Sequence, residues 1–358
     1  MKYDEIIEEI KSSFDTKDSG IPIPSFSMYN DVVGNIVPGT FTVIGGLPGA
    51  GKTSFMDQNY VLNPLYRWYK AEEGHVSDVK VLYFSFKNSK NIKIKTFLCN
   101  YAMTFSQLRL DINTLISSKN RRFDLDDSTL GLNVLESSKG FFNTVLDNRI
   151  LQIFDGEFSP EDMYNQATDS LSEMGKFSKN GVYVPYGDNT HIIIAIDNAD
   201  LLVENNEIAG KIYKGDLRKQ LLKYISLLIK KYNVTVVANV LIDRFKIFKK
   251  AETIPNYSQL EEWGTAADVG TVVYSPNLEG TAGMLLSGEN PETYIIRNVD
   301  YLRYWFVVKN NMGPEFAKCR FLFMGGSSYG VEVPDDENNV IKGKADISKL
   351  LFADYNLY

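Results

Sequence analysis

Residues 46–53 read Gly46-Leu47-Pro48-Gly49-Ala50-Gly51-Lys52-Thr53, with the apolar run Thr40 to Gly45 immediately before them and Ser54-Phe55-Met56-Asp57-Gln58 after. A strand, a turn of the form Gly-x4-Gly-Lys-Thr and the start of a helix constrain a chain strongly, because together they build a cradle for phosphate. The glycines let backbone N–H groups curl around the phosphates, and the helix N-terminus adds the positive end of its dipole. Lys52 then reaches the outer phosphates and the Thr53 hydroxyl holds Mg2+. The cradle is expected to comprise Gly46, Pro48, Gly49, Ala50, Gly51, Lys52, Thr53 and Ser54.

A second segment supports this reading. His191-Ile192-Ile193-Ile194-Ala195-Ile196-Asp197 is an apolar strand that ends in a carboxylate. Asp197 would hold the same Mg2+ through water. Around these two segments, short β-branched or aromatic runs alternate with helical stretches, which predicts an α/β fold with a mainly parallel, twisted sheet flanked by helices. The strands expected are Thr40 to Gly45, Val79 to Ser85, Ile150 to Phe154, His191 to Asp197, Val234 to Val240 and Val269 to Tyr274. Tyr304 to Lys309 and Cys319 to Met324 are separated by too few residues for a helical crossover, so they read as antiparallel additions on the C-terminal side. Residues 105–148 and 172–190 lack a regular pattern and read as insertions.

Three parts are expected along the 358 residues. Residues 1–18 hold an amphipathic linker helix, with Tyr3, Ile6, Ile7, Ile10 and Phe14 at helical spacing. Residues 19–333 form the nucleotide-binding domain, entered through the Gly and Pro residues at 20–24. Residues 334–358 form a tail, acidic and turn-rich at first, whose final stretch from Ile347 reads as a small docking segment. Cys99 and Cys319 show no paired spacing, so neither a disulfide framework nor a thiolate zinc site is indicated. His75 and His191 lie in no catalytic or metal motif. No apolar run reaches the roughly 20 residues of a membrane span, and Asp4 and Glu5 stand where a signal peptide needs an apolar core. A cytoplasmic location without a membrane partner is expected. The formal net charge of -7 does not favour general nucleic-acid binding, so any such claim must rest on placed residues.

Several segments in shared order resemble the ATPase domain of the DnaB-type hexameric replicative helicases, a RecA-like P-loop family. The resemblance spans most of residues 15–333. Gly20-Ile21-Pro22 and Val37-Pro38-Gly39-Thr40 are similar to the family's entry to its first strand, and Val81 to Ser89 to its second. Asp155 to Asp162 resembles the step before the second motif strand, with Ser159 as helix cap and Pro160 in the first turn. Leu217 to Lys230 leads as a helix into Asn233 to Ala238, and Tyr257 to Gly264 resembles the loop before the next strand. Val308-Lys309-Asn310-Asn311-Met312-Gly313-Pro314 is similar to the turn that reaches the neighbouring subunit's nucleotide. The resemblance implies ATP and Mg2+ as cofactors, a homo-oligomer in the form of a hexameric ring, single-stranded DNA and other replication proteins as partners, and a linker helix that docks on the adjacent subunit. A helix folded back on its own domain is the alternative for residues 3–14.

The same resemblance exposes three departures. Where the family has a catalytic glutamate, a sensor glutamine and an arginine finger, this sequence has Lys87, Leu241 and Asn311. Lysine cannot orient water as a carboxylate does, leucine cannot hydrogen-bond a phosphate, and asparagine carries no charge. Lys52 and Asp197 are kept, and Lys309 keeps a charge that could cross the interface. Asp200 is the nearest spare acid, and Arg303 and Arg320 are the nearest substitutes for the finger. Arg244, Lys246, Lys249 and Lys250, interleaved with Phe245 and Phe248, fall where a DNA-gripping loop belongs, and such a mixture suits a single strand. A solvated basic loop is the plain alternative. Lys211, Lys214, Arg218 and Lys219 form a weaker basic cluster among acids. Two functions follow: an ATP-binding scaffold, regulator or loader with weak or lost hydrolysis, or an active helicase moving on single-stranded DNA. A small-molecule kinase would need an arginine cluster to clamp its substrate, and the sequence shows none.

Overall fold

A computed structural model describes residues 20–71, 78–116, 126–187, 190–203, 214–242, 260–276, 278, 301–315 and 317–333. The expected helix at residues 3–14, the tail from 334, the basic loop at 244–250, Lys211 and His75 lie outside the described residues.

Nine strands form one sheet in the order β11-β10-β9-β8-β1-β7-β6-β2-β3. They are β1 (Phe41–Gly46), β2 (Val79–Ser85), β3 (Leu151–Asp155), β6 (His191–Asp197), β7 (Thr235–Leu241), β8 (Val269–Tyr274), β9 (Leu302–Asn310), β10 (Ala317–Met324) and β11 (Tyr329–Val333). Strands β3, β2, β6, β7, β1 and β8 run parallel, and β9, β10 and β11 continue the sheet antiparallel. Every residue of β1, β6 and β8 is buried. That is why these strands read as unbroken apolar runs rather than alternating ones, since helices cover both faces. The expected mainly parallel sheet with an antiparallel C-terminal side is present.

Two apolar layers sandwich the sheet. On one face Met163, Ala167 and Leu171 of α7 (Pro160–Met174) and Leu221, Ile225 and Leu228 of α8 (Lys214–Tyr232) pack against Ile194, Ile196, Val236 and Ala238. On the other, Tyr29 of α1 (Ser27–Val33), Phe55 and Met56 of α2 (Lys52–Met56), Leu65 and Tyr66 of α3 (Asn63–Lys70) and Phe97 of α4 (Lys90–Ser106) pack on Ile44, Ile193 and Val237. Between α2 and α3 the helix widens into a π-helical stretch, Asp57–Leu62.

The structure corrects several expectations. Residues 105–148 are not an irregular insertion, because α5 (Ile112–Ile116) and the long α6 (Asp126–Asp147) occupy them. Gly131, Gly140 and the β-branched and Ser positions of α6 weaken its intrinsic helical signal. Tertiary packing compensates: Phe141 lies 5.1 Å from Tyr66 and stacks on Tyr101 at 5.6 Å. In 172–190, α7 extends to Met174 and a small hairpin of β4 (Gly175–Phe177) and β5 (Tyr183–Pro185) follows. Helix α1 and strand β11 were not anticipated; β11 alternates too little to stand out and is recognised by its pairing with β10. The cap at Ser159 is as expected and closes reciprocally, its hydroxyl accepting from the Asp162 backbone N–H while the Asp162 carboxylate accepts from Ser159. Among the described residues no helix is long and apolar enough to cross a membrane.

Candidate functional site

The site gathers at the C-terminal ends of β1, β7, β6 and β2. Sheet order decides which side chains meet there. Strand β7 lies between β1 and β6, so its residues face the phosphate loop on one side and the end of β6 on the other.

The loop after β1 turns as the sequence requires. Gly49 and Gly51 take φ of +80° and +101°, where a side chain is strained. A Cβ on Gly51 would also stand 3.2 Å from the Phe323 ring. Lys52 is buried and its ammonium donates to the Leu47 carbonyl at 3.0 Å. Burial pushes its pKa down to about 8, against the pull of Asp197 and Asp200 and with a small push from Lys87. Ser54 is held from behind by the Ser328 hydroxyl at 2.7 Å.

Thr53 and Asp197 meet as predicted. The Thr53 hydroxyl donates to Asp197 Oδ1 at 2.8 Å. A residue the sequence reading missed completes this contact: Asn239 of β7 donates from Nδ2 to the same Oδ1 at 3.1 Å and lies 3.5 Å from Thr53 Oγ1. Leu241 lies two residues on, with its side chain 40% exposed at the strand tip. The resemblance singles out the tip, while the polar group of β7 that engages the site sits one alternation deeper.

A second group escaped notice because it is assembled from three elements. Lys93 of α4 is buried, with Nζ 3.1 Å from Oδ2 of both Asp57 and Asp197. The Tyr83 hydroxyl lies 2.7 Å from Asp57 Oδ1 and 3.1 Å from Asp197 Oδ2, and its single proton serves one of them at a time. Burial works against the charged form of Lys93, but Asp57 and Asp197 outweigh it and hold the ammonium above its ordinary range. Asp57 is raised to about 6, chiefly by burial. Asp197 is also opposed by burial, yet Lys93 and the donors Asn239 and Thr53 bring it below the usual carboxylate range.

The other predicted residues are distributed more widely. Lys87 is exposed just beyond the end of β2. Lys309 and Asn311 do not approach this chain's own loop: β9 pairs with β8 so that Asn310 faces Val269, at the end of the sheet away from the loop. There Lys309 donates to the Thr265 carbonyl at 3.1 Å and Asn311 Nδ2 to Asp268 Oδ1 at 3.3 Å. Arg303 and Arg320 are buried, Arg303 donating to the Leu302 carbonyl beneath Phe323. This corrects their reading as substitute fingers, because neither presents its guanidinium at the surface. Arg218 is not a free cation of a basic patch either, since it bridges Asp200 and Glu261 against the Trp263 ring. Asp200 accepts from the Leu241 backbone N–H as well. His191 is a buried strand residue whose Nε2 lies 3.0 Å from Thr235 Oγ1.

The donor set fits a nucleotide with Mg2+. Among the described residues no group of three or more His, Cys, Asp or Glu forms a metal cage. A magnesium shared between phosphate oxygens, a hydroxyl and one carboxylate needs no such cage. Asn239 Oδ1 is buried without a hydrogen-bond partner, an acceptor well placed for water on a metal beside Thr53 and Asp197.

Comparison with known proteins places the fold. One solved structure, the ATPase domain of a DnaB-like helicase, superposes with a TM-score of 0.66 at 15% identity, over 93% of this chain and 99% of that one. A DnaB-like replicative helicase, described with its interactions with primase, gives a TM-score of 0.64 at 15% identity, over 93% of this chain and 69% of the other. The chain therefore has the RecA-like fold of DnaB-type ATPase domains. No family model matches the sequence, and no curated protein matches it.

Proposed function

We propose that this chain binds ATP on the loop 46–53 and acts in a DNA-associated assembly as a scaffold, regulator or loader, with hydrolysis weak or lost. The observation that carries this reading is the state of the acids around Lys52. Asp197 and Asp200 are the acids whose charge reaches its ammonium, and both are engaged. Asp197 is surrounded by Thr53, Asn239, Lys93 and Tyr83. Asp200 is held by Arg218 and the Leu241 N–H. Past β2, where the resembling family has its glutamate, Lys87 adds charge of the wrong sign. Hydrolysis needs a carboxylate able to orient water.

Gly46, Pro48, Gly49, Ala50, Gly51, Lys52, Thr53 and Ser54 would hold the phosphates, and Thr53 and Asp197 the Mg2+, Asp197 through water. Bound there, the metal would neutralise charge on the outer phosphates. Lys309 and Asn311, at the far end of the sheet, suit contact with a neighbouring copy in a homo-oligomeric, hexameric ring. The Arg244 to Lys250 loop is the segment we assign to single-stranded DNA. The replicative, primase-associated character of one similar structure makes other replication proteins the partners to seek. A cytoplasmic location accords with all of this.

One observation favours a second reading, an active helicase. Asp200 is close enough for its charge to act on Lys52, and release from Arg218 would leave it able to orient water. Magnesium-dependent ATP turnover with and without single-stranded DNA, run beside equilibrium ATP binding, separates the two. Tight binding with negligible turnover supports the scaffold, regulator or loader. Turnover near one per second or faster, stimulated by DNA and abolished by Lys52→Ala, supports the motor.

A further inference from the structure

The buried contact between Lys93, Asp57 and Asp197 is not required by the fold. A lysine with its ammonium out of water is costly, and replacing a buried ion pair by apolar residues is often neutral or stabilising. The neighbours of Lys93 on α4, Phe97 and Tyr101, supply the apolar packing there. What the ion contact does provide is geometry. It ties together three elements that converge on the phosphate loop: Asp57 lies one helical turn beyond Thr53, at the start of the π-helical stretch; Asp197 ends β6; and Lys93 reaches between them from α4.

The two oxygens of Asp197 are divided by these contacts. Oδ1 receives Thr53 and Asn239 on the side of the phosphate loop. Oδ2 receives Lys93 and Tyr83 on the buried side. A carboxylate held from behind cannot rotate, so its free lone pairs stay aimed at the position beside Thr53. Partners of this kind behind a metal-binding carboxylate usually matter for metal affinity by about 10–100-fold.

We infer that Lys93 is a positioning residue for the nucleotide's metal: with Tyr83 behind it, Lys93 clamps Oδ2 of Asp197 so that Oδ1 faces the Mg2+ position at Thr53. The inference rests on the ATP-binding reading above. It predicts a division of effects, because the clamp touches Asp197 and leaves the backbone cradle and Lys52 untouched. Loss of the clamp weakens metal binding to the ATP-loaded protein and spares ATP binding without metal. General damage to the domain would weaken both.

The test uses the full chain and Mn2+ as the spectroscopic probe of the magnesium position, with a fluorescent ATP analogue in EDTA as the metal-free measurement. Lys93→Met is expected to lower Mn2+ affinity of the ATP-loaded protein at least tenfold while metal-free nucleotide affinity stays within twofold. Tyr83→Phe keeps the aromatic packing and is expected to lower Mn2+ affinity about threefold, short of the range for a whole partner. Unchanged Mn2+ affinity in Lys93→Met, or equal losses with and without metal, would overturn the inference. If Lys93→Met does not fold, wild-type Mn2+ affinity in Tyr83→Phe overturns it. Wild-type protein that binds no nucleotide in either condition would remove the ATP-binding reading itself, and the inference with it; nucleotide binding without the division of effects removes the inference alone.

Discussion

The Thr53 hydroxyl donates to Asp197 Oδ1 across 2.8 Å, so the first residue of the helix after the phosphate loop and the last residue of β6 are joined through their side chains. The same two oxygen atoms are the ones a magnesium bound beside the phosphates would use, one directly and one through water. Thr53→Val keeps the shape and removes the hydroxyl. It is expected to cost about 1–3 kcal/mol of stability, the range for a hydrogen bond to a charged group. Magnesium-dependent ATP affinity should fall at least tenfold, and titration calorimetry with and without EDTA would show whether metal-free binding is spared.

Lys52 separates ligand binding from stability in the opposite way. Its ammonium is buried against one carbonyl of its own loop, and burial depresses its pKa, which means that the folded protein gains little from the charge. Lys52→Ala is therefore expected to unfold at the wild-type temperature or slightly above it. ATP affinity should drop at least tenfold, about 1.4 kcal/mol. A variant that melted much lower and still bound ATP would show that the lysine serves the fold.

Installing the missing carboxylate tests the reading of weak hydrolysis. Lys87 is exposed just beyond β2, so Lys87→Glu should fold normally. If the apolar tip at Leu241 and the uncharged Asn311 also limit the reaction, restoring the acid alone raises turnover by less than about tenfold, because an arginine finger by itself accounts for about a thousandfold or more. A larger rise in steady-state phosphate release would mean that the other two positions are already served by residues elsewhere.

The parts of this site that were legible in the sequence are those in which one short segment carries its own chemistry. The loop 46–53 and the strand ending at Asp197 read directly, since turn, dipole and carboxylate are local. So did the cap at Ser159, whose partner Asp162 is three residues away. Asn239 was hidden because its role depends on β7 lying between β1 and β6, an order that no local pattern states. Lys93 was hidden more deeply: in sequence it sits among Lys90, Lys95 and Asn91 and looks like a solvated helix face, and only the packing of α4 turns it inward. Helix α6 was missed for the converse reason, its helical signal being weak and its aromatic contacts with Tyr66 and Tyr101 long-range.

His191 makes stability depend on pH. Burial lowers its pKa from 6.5 to about 4, so between these values the unfolded chain binds a proton that the folded protein does not. The stabilisation is fully present above 6.5 and is lost as pH falls through about 4. At about 1.4 kcal/mol per unit, the loss is at most about 3 kcal/mol. His191→Gln has no ring to titrate, and its urea midpoint should decline less than that of the wild type between pH 6.5 and 4. Parallel declines would show that other groups carry the acid sensitivity.

Glu332 acts with the opposite sign and would mask His191 in the wild type. Its Oε1 accepts from the Tyr29 N–H at 3.0 Å and Trp305 Nε1 at 2.9 Å, and its Oε2 from the Met28 N–H at 2.8 Å, so it fastens α1 to β11 and β9. These donors favour the carboxylate, but burial outweighs them and raises the pKa from 4.5 to about 7. Between those values the folded protein keeps a proton that the unfolded chain has released. Stability from this group is full below 4.5 and is lost as pH rises through about 7, again by at most about 3 kcal/mol. Where the two windows overlap the slopes offset each other, and the wild type should look nearly flat. Glu332→Gln resembles the neutral acid, with one acceptor oxygen and one donor group. It is expected to match the wild type near pH 5 and to exceed it near pH 8, as read from urea midpoints at the two pH values. Identical differences at both would mean that Glu332 is ionised throughout and that its three donors, rather than burial, set its charge.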